Sequence, residues 1–190
     1  FEVDLVPCYD VERASAIQSA VDRTPFHTAY VAERVDEALA GEVRLLKQFL
    51  TGIGCYGSDL RTRGFSGFLA ELLVLEYGGF LALCEAAADW HPPVELDPAG
   101  HGTASFEGPL VVVDPTDPER NVAAVLSATN LARFQHYARA LLADPRERLF
   151  EPAAPEPLTS AAVRDHVKRR GTTPVAVRFE SPALVDDQLW

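Results

Sequence analysis

The chain has 190 residues, of which 47% are hydrophobic and 24% are charged, and its formal net charge is -11. The length suits one large domain or two small ones. No apolar run approaches the roughly 20 residues that span a bilayer, so we expect no membrane partner. Cys8, Cys55 and Cys84 are widely scattered. This spacing excludes a disulfide framework and a zinc site, and it predicts a reducing, cytoplasmic location.

The acidity of the chain has to be weighed against its composition. A negative net charge usually argues against a nucleic-acid partner, because phosphate binding depends on positive patches. Lys47 and Lys168 are the two lysines, whereas Arg, Asp, Glu and Ala are abundant. That bias is typical of a GC-rich genome and of an acidic surface adapted to high salt. The acidity is therefore a property of the whole surface and does not decide what a site binds.

The first residues, FEVDLVPCY, alternate in polarity and predict a strand over 2–8. Glu2 and Asp4 share one face of that strand. The face is either an ordinary solvent-exposed side or part of a cleft in which Asp4 binds a metal ion, and the residues by themselves leave both open. The chain contains no methionine and begins within this strand pattern, so we expect it to be a piece of a longer protein.

Helical patterns follow the predicted strand. A short helix is predicted around 14–20. Thr24 before Pro25 is typical of an N-cap followed by proline at the first helical position, which predicts a helix over 26–33. The next helix is predicted over 36–50, with the aspartate at its start as the N-cap.

The middle of the chain is predicted to be mainly helical. The segment TGIGCYGSD contains three glycines and indicates a loop. Ser66 is predicted to cap the segment GFLAELLVLEY, which is apolar nearly all round and is therefore typical of a buried helix. Gly78 and Gly79 interrupt this helix, and FLALCEAAADW continues as another.

Strand patterns appear next. A short strand is predicted near 94–96, and PLVVVD reads as a buried strand followed by a turn over DPTDPERN. Ser127 is predicted to start a helix that ends near Ala143. The proline-rich segment 151–157 is the best linker candidate, and a helix near 160–170 with a strand over PVAVRFE is predicted to open another domain.

Lys47 lies at the edge of the apolar stripe of its helix. Its stem can cover the core while its ammonium group reaches a neighbouring cleft, or it can be an ordinary surface lysine. A compact ammonium group suits a triphosphate. Tyr56 either projects from the glycine-rich loop and donates a hydrogen bond to phosphate, or packs against that loop. His27 by itself indicates no function. No Walker-type lysine follows the loop, which excludes a P-loop.

Polar residues also cluster around the buried strand. Asp114 and Asp117 precede prolines and are typical turn residues. Arg120 follows at a strand exit, where side chains often reach a ligand, although taken alone it favours a capping or ion-pairing role. Arg63 and Glu71 are predicted to form a structural ion pair, because a carboxylate on a buried helix needs a partner.

Taken in order, several long motifs closely resemble the archaeal, class I CCA-adding enzymes. The motifs are VDLVPCY, AVDRTPFH, EVRLLKQFL, GIGCYGSDL, RGFSGFLAELLVLEYG and VVVDPTDPERNVAA, and the tail VAVRFESPALVDDQLW fits as well. The resemblance covers essentially the whole chain. It implies a tRNA nucleotidyltransferase of the DNA polymerase β superfamily, which adds the 3′-terminal CCA of tRNA from CTP and ATP without a nucleic-acid template.

The resemblance also assigns roles to residues. The family uses three carboxylates to hold two Mg²⁺ ions, and Asp4 matches the third carboxylate. His27, Lys47 and Tyr56 match positions that bind the incoming nucleotide, chiefly its phosphates. Arg120 matches the arginine that reads the incoming base together with the RNA backbone. The first two carboxylates would lie upstream of the first residue, so we expect the 190 residues alone to be inactive.

The resemblance implies an α+β fold in three parts. Residues 1–35 would end the palm and contribute its last strand, 36–150 would form a mainly helical central domain with a short β element, and 151–190 would start an α+β RNA-binding domain. The expected partners are the tRNA acceptor end and a second copy of the full-length protein. The alternatives are a relative of poly(A) polymerase or oligoadenylate synthetase, and a non-catalytic RNA-binding module.

Overall fold

The computed structural model of the protein describes residues 5–102, 105–152, 157 and 159–178. The helices in this part are α1 (Thr24–Ala32), α2 (Glu37–Gly52), α3 (Gly67–Tyr77), α4 (Phe80–Ala88), α5 (Ala128–Ala143) and α6 (Ser160–Arg170). The strands are β1 (Val94–Leu96), β2 (Leu110–Asp114) and β3 (Asp117–Asn121). The predicted α+β class is confirmed.

The helix starts follow local capping chemistry. The carboxylate of Asp36 accepts a hydrogen bond from Leu39 N at 2.9 Å, so the predicted cap of α2 is confirmed. The hydroxyl groups of Ser66 and Ser127 likewise accept bonds from the backbone three residues ahead, at 3.1 and 3.2 Å, and they cap α3 and α5 as predicted.

The start of α1 differs from the prediction. Instead of one short helix over 14–20, two 3₁₀ turns cover Ala14–Ala16 and Ala20–Arg23. The second turn runs directly into α1, and Thr24 N donates to the carbonyl group of Val21. Thr24 is therefore already helical and is not the N-cap, so that prediction is wrong. Pro25 lies in the first turn, but at the second helical position and not at the predicted first one.

The core forms around α3, whose residues are buried on several sides of the helix. Its fully covered side chains are Leu69, Ala70, Leu72, Leu73 and Val74. Helices α1, α2 and α4 pack against it. Gly78 (φ +78°) provides the left-handed C-cap, and the chain then turns by 88° into α4. No single helix in the described part is long and apolar enough to cross a membrane; the bent pair α3 and α4 reaches that length only in combination.

The sheet has the order β1-β2-β3, with β1 parallel and β3 antiparallel to β2. The segment over DPTDPERN was predicted to be a turn, and this is wrong for 117–121, which form β3. Every residue of β2 is buried, so its backbone groups need hydrogen-bond partners, and β1 and β3 supply them. Asn121 also accepts a bond from Val112 N at 3.0 Å through its side-chain oxygen.

Two predicted strands are absent from the residues that can be compared. Residues 5–8 and 174–178 form no strand, and both stretches are exposed. A strand needs the backbone of a neighbouring strand, and apolar alternation alone does not supply one. The remaining parts of the predicted strands, including Asp4, lie outside the described residues.

The chain divides into two units, Phe1–Pro152 and Ala153–Trp190. The first contains α1 to α5 and the sheet. The second contains the predicted helix near 160–170, which is confirmed as α6; the hydroxyl group of Thr159 caps it by accepting from Ala162 N at 3.2 Å. Most of the predicted linker over 151–157 lies outside the described residues.

The glycine-rich loop returns on itself where Phe65 N donates to the carbonyl group of Cys55 at 2.7 Å. A Cβ atom at Gly64 would collide with that same carbonyl group, which is backbone and cannot swing aside. We therefore expect Gly64→Ala to lower the free energy of unfolding by at least about 2 kcal/mol, as overpacking does. Urea unfolding followed by circular dichroism measures this change.

Gly41 in α2 provides the matched control. A Cβ atom there meets nothing within 4 Å. Because alanine has a higher helix propensity than glycine, we expect Gly41→Ala to stabilise the protein by about 0.5–1 kcal/mol. Equal effects of the two substitutions would contradict the close backbone approach at Gly64.

Candidate functional site

Asp114 ends β2 and is fully buried. Its Oδ2 atom accepts hydrogen bonds from His27 Nε2 at 2.9 Å and from Arg120 Nη1 at 2.7 Å. Its Oδ1 atom accepts from the backbone and hydroxyl groups of Thr116, both at 2.8 Å. One carboxylate therefore joins α1, the turn after β2, and β3.

The surroundings of Asp114 keep it ionised. Burial by itself raises the pKa of a carboxyl group, but the bonds from His27, Thr116 and Arg120 outweigh it and hold the pKa of Asp114 well below its usual 3.8. An ionised carboxylate can only accept hydrogen bonds, so His27 Nε2 must carry the proton in this contact. The opposite ring nitrogen, Nδ1, lies on the other edge of the imidazole.

His27 is also held by its ring plane. The imidazole stacks on the ring of Phe68 in α3, with centroids 3.7 Å apart and planes 10° from parallel. Both residues line a pocket of about 470 Å³ between α1 and α3. Glu71, one turn after Phe68 on the same face of α3, lines this pocket too.

Glu71 connects the pocket to Lys47. Lys47 Nζ donates to Glu71 Oε1 at 2.6 Å, and both side chains remain about one-quarter exposed. The predicted pair of Arg63 with Glu71 is therefore wrong. Arg63 adopts a φ of +49°, and its carbonyl group accepts bonds from Ser127 N and the Asn130 side chain, which ties this part of the loop to the start of α5.

Tyr56 completes the group at the start of α3. A Cβ atom at Gly67 would lie 3.4 Å from the Tyr56 hydroxyl oxygen and 3.7 Å from Lys47 Nζ. The phenol and the ammonium group thus flank the first residue of α3. Tyr56 forms an isolated parallel bridge with Phe65 and is 40% exposed, so the structure combines the two readings of this residue: it belongs to the folded loop and it projects from it.

The four predicted nucleotide-binding residues, His27, Lys47, Tyr56 and Arg120, thus lie around α3 and Asp114. Three further residues of the site were missed from the sequence: Phe68, which stacks on His27; Glu71 as the partner of Lys47; and Asp114 as the central acceptor. The sequence does contain an indication of the role of Asp114. This aspartate ends the apolar run VVVD, and a buried carboxylate requires hydrogen-bonding or charged partners.

A second ion pair reinforces the hairpin β2–β3. Arg23 Nη2 lies 3.3 Å from Asp117 Oδ2, and Asp117 is almost fully buried. Arg23 directly precedes α1, and Asp117 begins β3. The hairpin is therefore attached to the start of α1 independently of Asp114.

Asp4, the predicted metal ligand, lies outside the described residues. Among the residues that are described, no group of three or more His, Cys, Asp or Glu side chains could hold a metal ion. Asp114 does not suit a cation, because both of its oxygen atoms already accept hydrogen bonds from protein donors.

Comparison with known proteins identifies the family. Residues 41–151 match the model of the tRNA nucleotidyltransferase second domain. The chain belongs to the tRNA nucleotidyltransferase family. The matched region contains Lys47, Tyr56, Asp114 and Arg120, whereas His27 lies before it.

Individual relatives match over a longer stretch. A CCA-adding enzyme of Halorubrum lacusprofundi is 69% identical over 190 residues, which is 100% of this chain and 41% of the relative. A CCA-adding enzyme of Methanoregula boonei is 48% identical over 186 residues, covering 98% of this chain and 40% of the relative. The chain thus spans about two fifths of the length of the curated relatives it matches.

The buried carboxylate generates a stability prediction. Asp114→Asn keeps the size of the side chain but removes the charge that His27 and Arg120 contact, so we expect a loss of about 3 kcal/mol in the free energy of unfolding at pH 7. Because the folded-state pKa is depressed, the charge stabilises the protein above 3.8, and this contribution is lost as the pH falls through the lower folded-state pKa.

Urea unfolding at pH 7, 5, 3 and 2 tests this expectation. The difference in the free energy of unfolding between the natural protein and Asp114→Asn should be largest near neutral pH and should decrease at acidic pH. Asp10→Asn changes an exposed aspartate and should stay within about 0.5 kcal/mol at each pH. If the difference in the free energy of unfolding for Asp114→Asn did not vary with pH, the stabilising role of the Asp114 charge would be contradicted.

Proposed function

We propose that the intact protein adds or repairs the 3′-terminal CCA of tRNA, using CTP and ATP as substrates. The observation that carries this proposal is the convergence of His27, Lys47, Tyr56 and Arg120 around α3 and the buried Asp114. These residues come from distant parts of the sequence. Lys47 and Tyr56 place their donor groups beside the first residue of α3. His27 and Arg120 share one oxygen atom of Asp114, and His27 also lines the pocket between α1 and α3. The names of the relatives point to the same activity.

The hydrogen-bond donors of the site suit a nucleoside triphosphate. Lys47 supplies a compact positive charge, and Tyr56 supplies a hydroxyl group beside it, both at the start of α3. His27 stacks on Phe68, the residue that directly follows Gly67 in α3, and lines the pocket. We infer that these three residues bind the phosphates. Ammonium and phenol groups can donate to phosphate oxygen atoms. The Nε2–H group of His27 is already bound to Asp114, so His27 donates to phosphate through Nδ1 when its imidazole is doubly protonated.

Arg120 suits a different part of the substrate. Its guanidinium group gives one nitrogen to Asp114 and keeps 32% of its side-chain surface exposed. An arginine carries five N–H donors in a rigid plane, so the group can bind Asp114 and still present donors to a base edge or an RNA phosphate. We propose that Arg120 reads the incoming base together with the RNA backbone.

The protein residues would thus bind and orient the nucleotide for attack by the 3′ end of the tRNA. Mg²⁺, when bound, would activate the attacking hydroxyl group and accompany the triphosphate. The described residues do not themselves form a Mg²⁺ site. The proposal that Asp4 is a Mg²⁺ ligand rests on its match to the third family carboxylate.

Lys47 provides a test of phosphate binding. A phosphate contact does not distinguish bases, so we expect Lys47→Ala in the full-length protein to raise the KM values for CTP and ATP together. A tenfold increase would correspond to about 1.4 kcal/mol. Steady-state addition to a tRNA that lacks its 3′ end measures both values.

Lys168 is the matched control, because it is the other lysine of the chain and lies exposed in α6. Lys168→Ala should leave both KM values close to those of the natural protein. If Lys47→Ala affected only one nucleotide, the assignment of Lys47 to the phosphates would fail.

Asp4 provides a test of the proposed metal ligand. Asp4→Asn keeps the size of the side chain but removes the anion that a hard cation needs. We expect single-turnover nucleotide addition by the full-length protein to fall by several orders of magnitude, while tRNA affinity and thermal stability stay close to those of the natural protein. Glu2→Gln is the control, since Glu2 matches no catalytic position. An active Asp4→Asn protein would assign Asp4 to an ordinary exposed face.

A further inference from the structure

We propose that Asp114 is a positioning residue that couples Arg120 to His27, so that base recognition and triphosphate binding depend on one another. The inference rests on the proposed function and concerns the same site. It assigns a role to a residue that contacts neither the base nor the phosphates in that proposal.

The coupling follows from which oxygen atom is shared. His27 Nε2 and Arg120 Nη1 both donate to Oδ2 of Asp114, at 2.9 and 2.7 Å. Any rotation of the carboxylate therefore displaces both donors at once. His27 and Arg120 lie 87 and 6 residues from Asp114 in the sequence, on α1 and β3. A single atom thus sets the distance between two groups that the sequence keeps far apart.

The carboxylate is well suited to hold that distance. It is fully buried, and Thr116 anchors the other oxygen atom, Oδ1, with two bonds of 2.8 Å. Charge-assisted hydrogen bonds are strong in such surroundings, because little water competes for the charge. Arg120 gains most from this, since a partly exposed arginine otherwise samples many rotamers and loses that freedom when it binds a ligand.

His27 has less freedom from the outset. Stacking on Phe68 holds the plane of its ring, and the bond to Asp114 sets the rotation of the ring within that plane. The imidazole thereby keeps Nε2 on the carboxylate and directs Nδ1 the opposite way. Loss of Asp114 would leave the stacking in place but release this rotation.

The fold can survive the loss of the Asp114 charge. The pair of Arg23 with Asp117 still attaches β3 to the start of α1, at 3.3 Å. Asp114→Asn should therefore give a less stable but folded protein in which His27 and Arg120 lose their fixed orientation. This separates a positioning role from a purely structural one.

A double-mutant analysis of the full-length protein tests the coupling. The measured quantities are kcat/KM for CTP and ATP on a tRNA that lacks its 3′ end. We expect Asp114→Asn to lower both values by about tenfold or more, and to relax the choice between C and A in the same direction as Arg120→Ala. In the Arg120→Ala or His27→Ala background, Asp114→Asn should lower kcat/KM by no more than about threefold. One of the two side chains that Asp114 positions is already missing in each of these backgrounds.

Asp22→Asn is the control for a structural effect. Asp22 is equally buried, and its carboxylate accepts bonds from Tyr9 N, Gln18 N and Ser19, but none from His27 or Arg120. Asp22→Asn should lower kcat/KM by the same factor in every background, and it should leave the ratio of the CTP and ATP values unchanged. If Asp114→Asn behaved in this way, the coupling would be disproved.

A milder variant covers the case in which Asp114→Asn does not fold. Thr116→Val keeps the charge and the backbone bond but removes the hydroxyl bond to Oδ1. We expect about a threefold decrease in kcat/KM that again shrinks when Arg120 is already alanine. Equal decreases in both backgrounds would overturn the inference alone. Absence of any CTP or ATP addition by the natural protein would overturn the proposed function together with it.

Discussion

The burial of α3 is the constraint on which the rest of the described structure depends. This helix is apolar on nearly every side, so it is stable only where other elements cover it. Helices α1, α2 and α4 do so, and an 88° turn at Gly78 and Gly79 brings α4 back against the core. The site forms on the one face of α3 that carries Phe68 and Glu71 and opens to the pocket.

The same packing explains how an acidic protein can build a site rich in donors. Each cationic group has a specific acidic partner: Lys47 pairs with Glu71, and Arg120 with Asp114. These acids hold the cations in position, which an excess of positive charge over the whole surface would not do. The net charge of -11 is therefore compatible with a site for an anionic ligand, because orientation is set by local pairs.

Local chemistry explains which parts of the fold could be predicted. The caps at Asp36, Ser66 and Ser127 were correct, because each bond joins residues only three apart. Strand β3 was missed because its sequence, DPERN, has no apolar alternation. It forms because the buried β2 needs backbone partners and because Asp117 and Asn121 bury their polar groups with hydrogen bonds. The opposite error, at 5–8 and 174–178, came from alternation without a neighbouring strand.

The sequence by itself determined the helix order and the buried character of α3 and β2, since periodicity and capping are written along the chain. The assignment of four residues to nucleotide binding came from the resemblance of their motifs and stays a prediction. Only the tertiary structure decided the partners of the charged residues. Glu71 pairs with Lys47 and not with Arg63, and one oxygen atom of Asp114 binds both His27 and Arg120. The physical reason is that a buried charge must be neutralised by whichever donors packing brings within hydrogen-bond distance, and that proximity in space is not encoded in proximity along the chain.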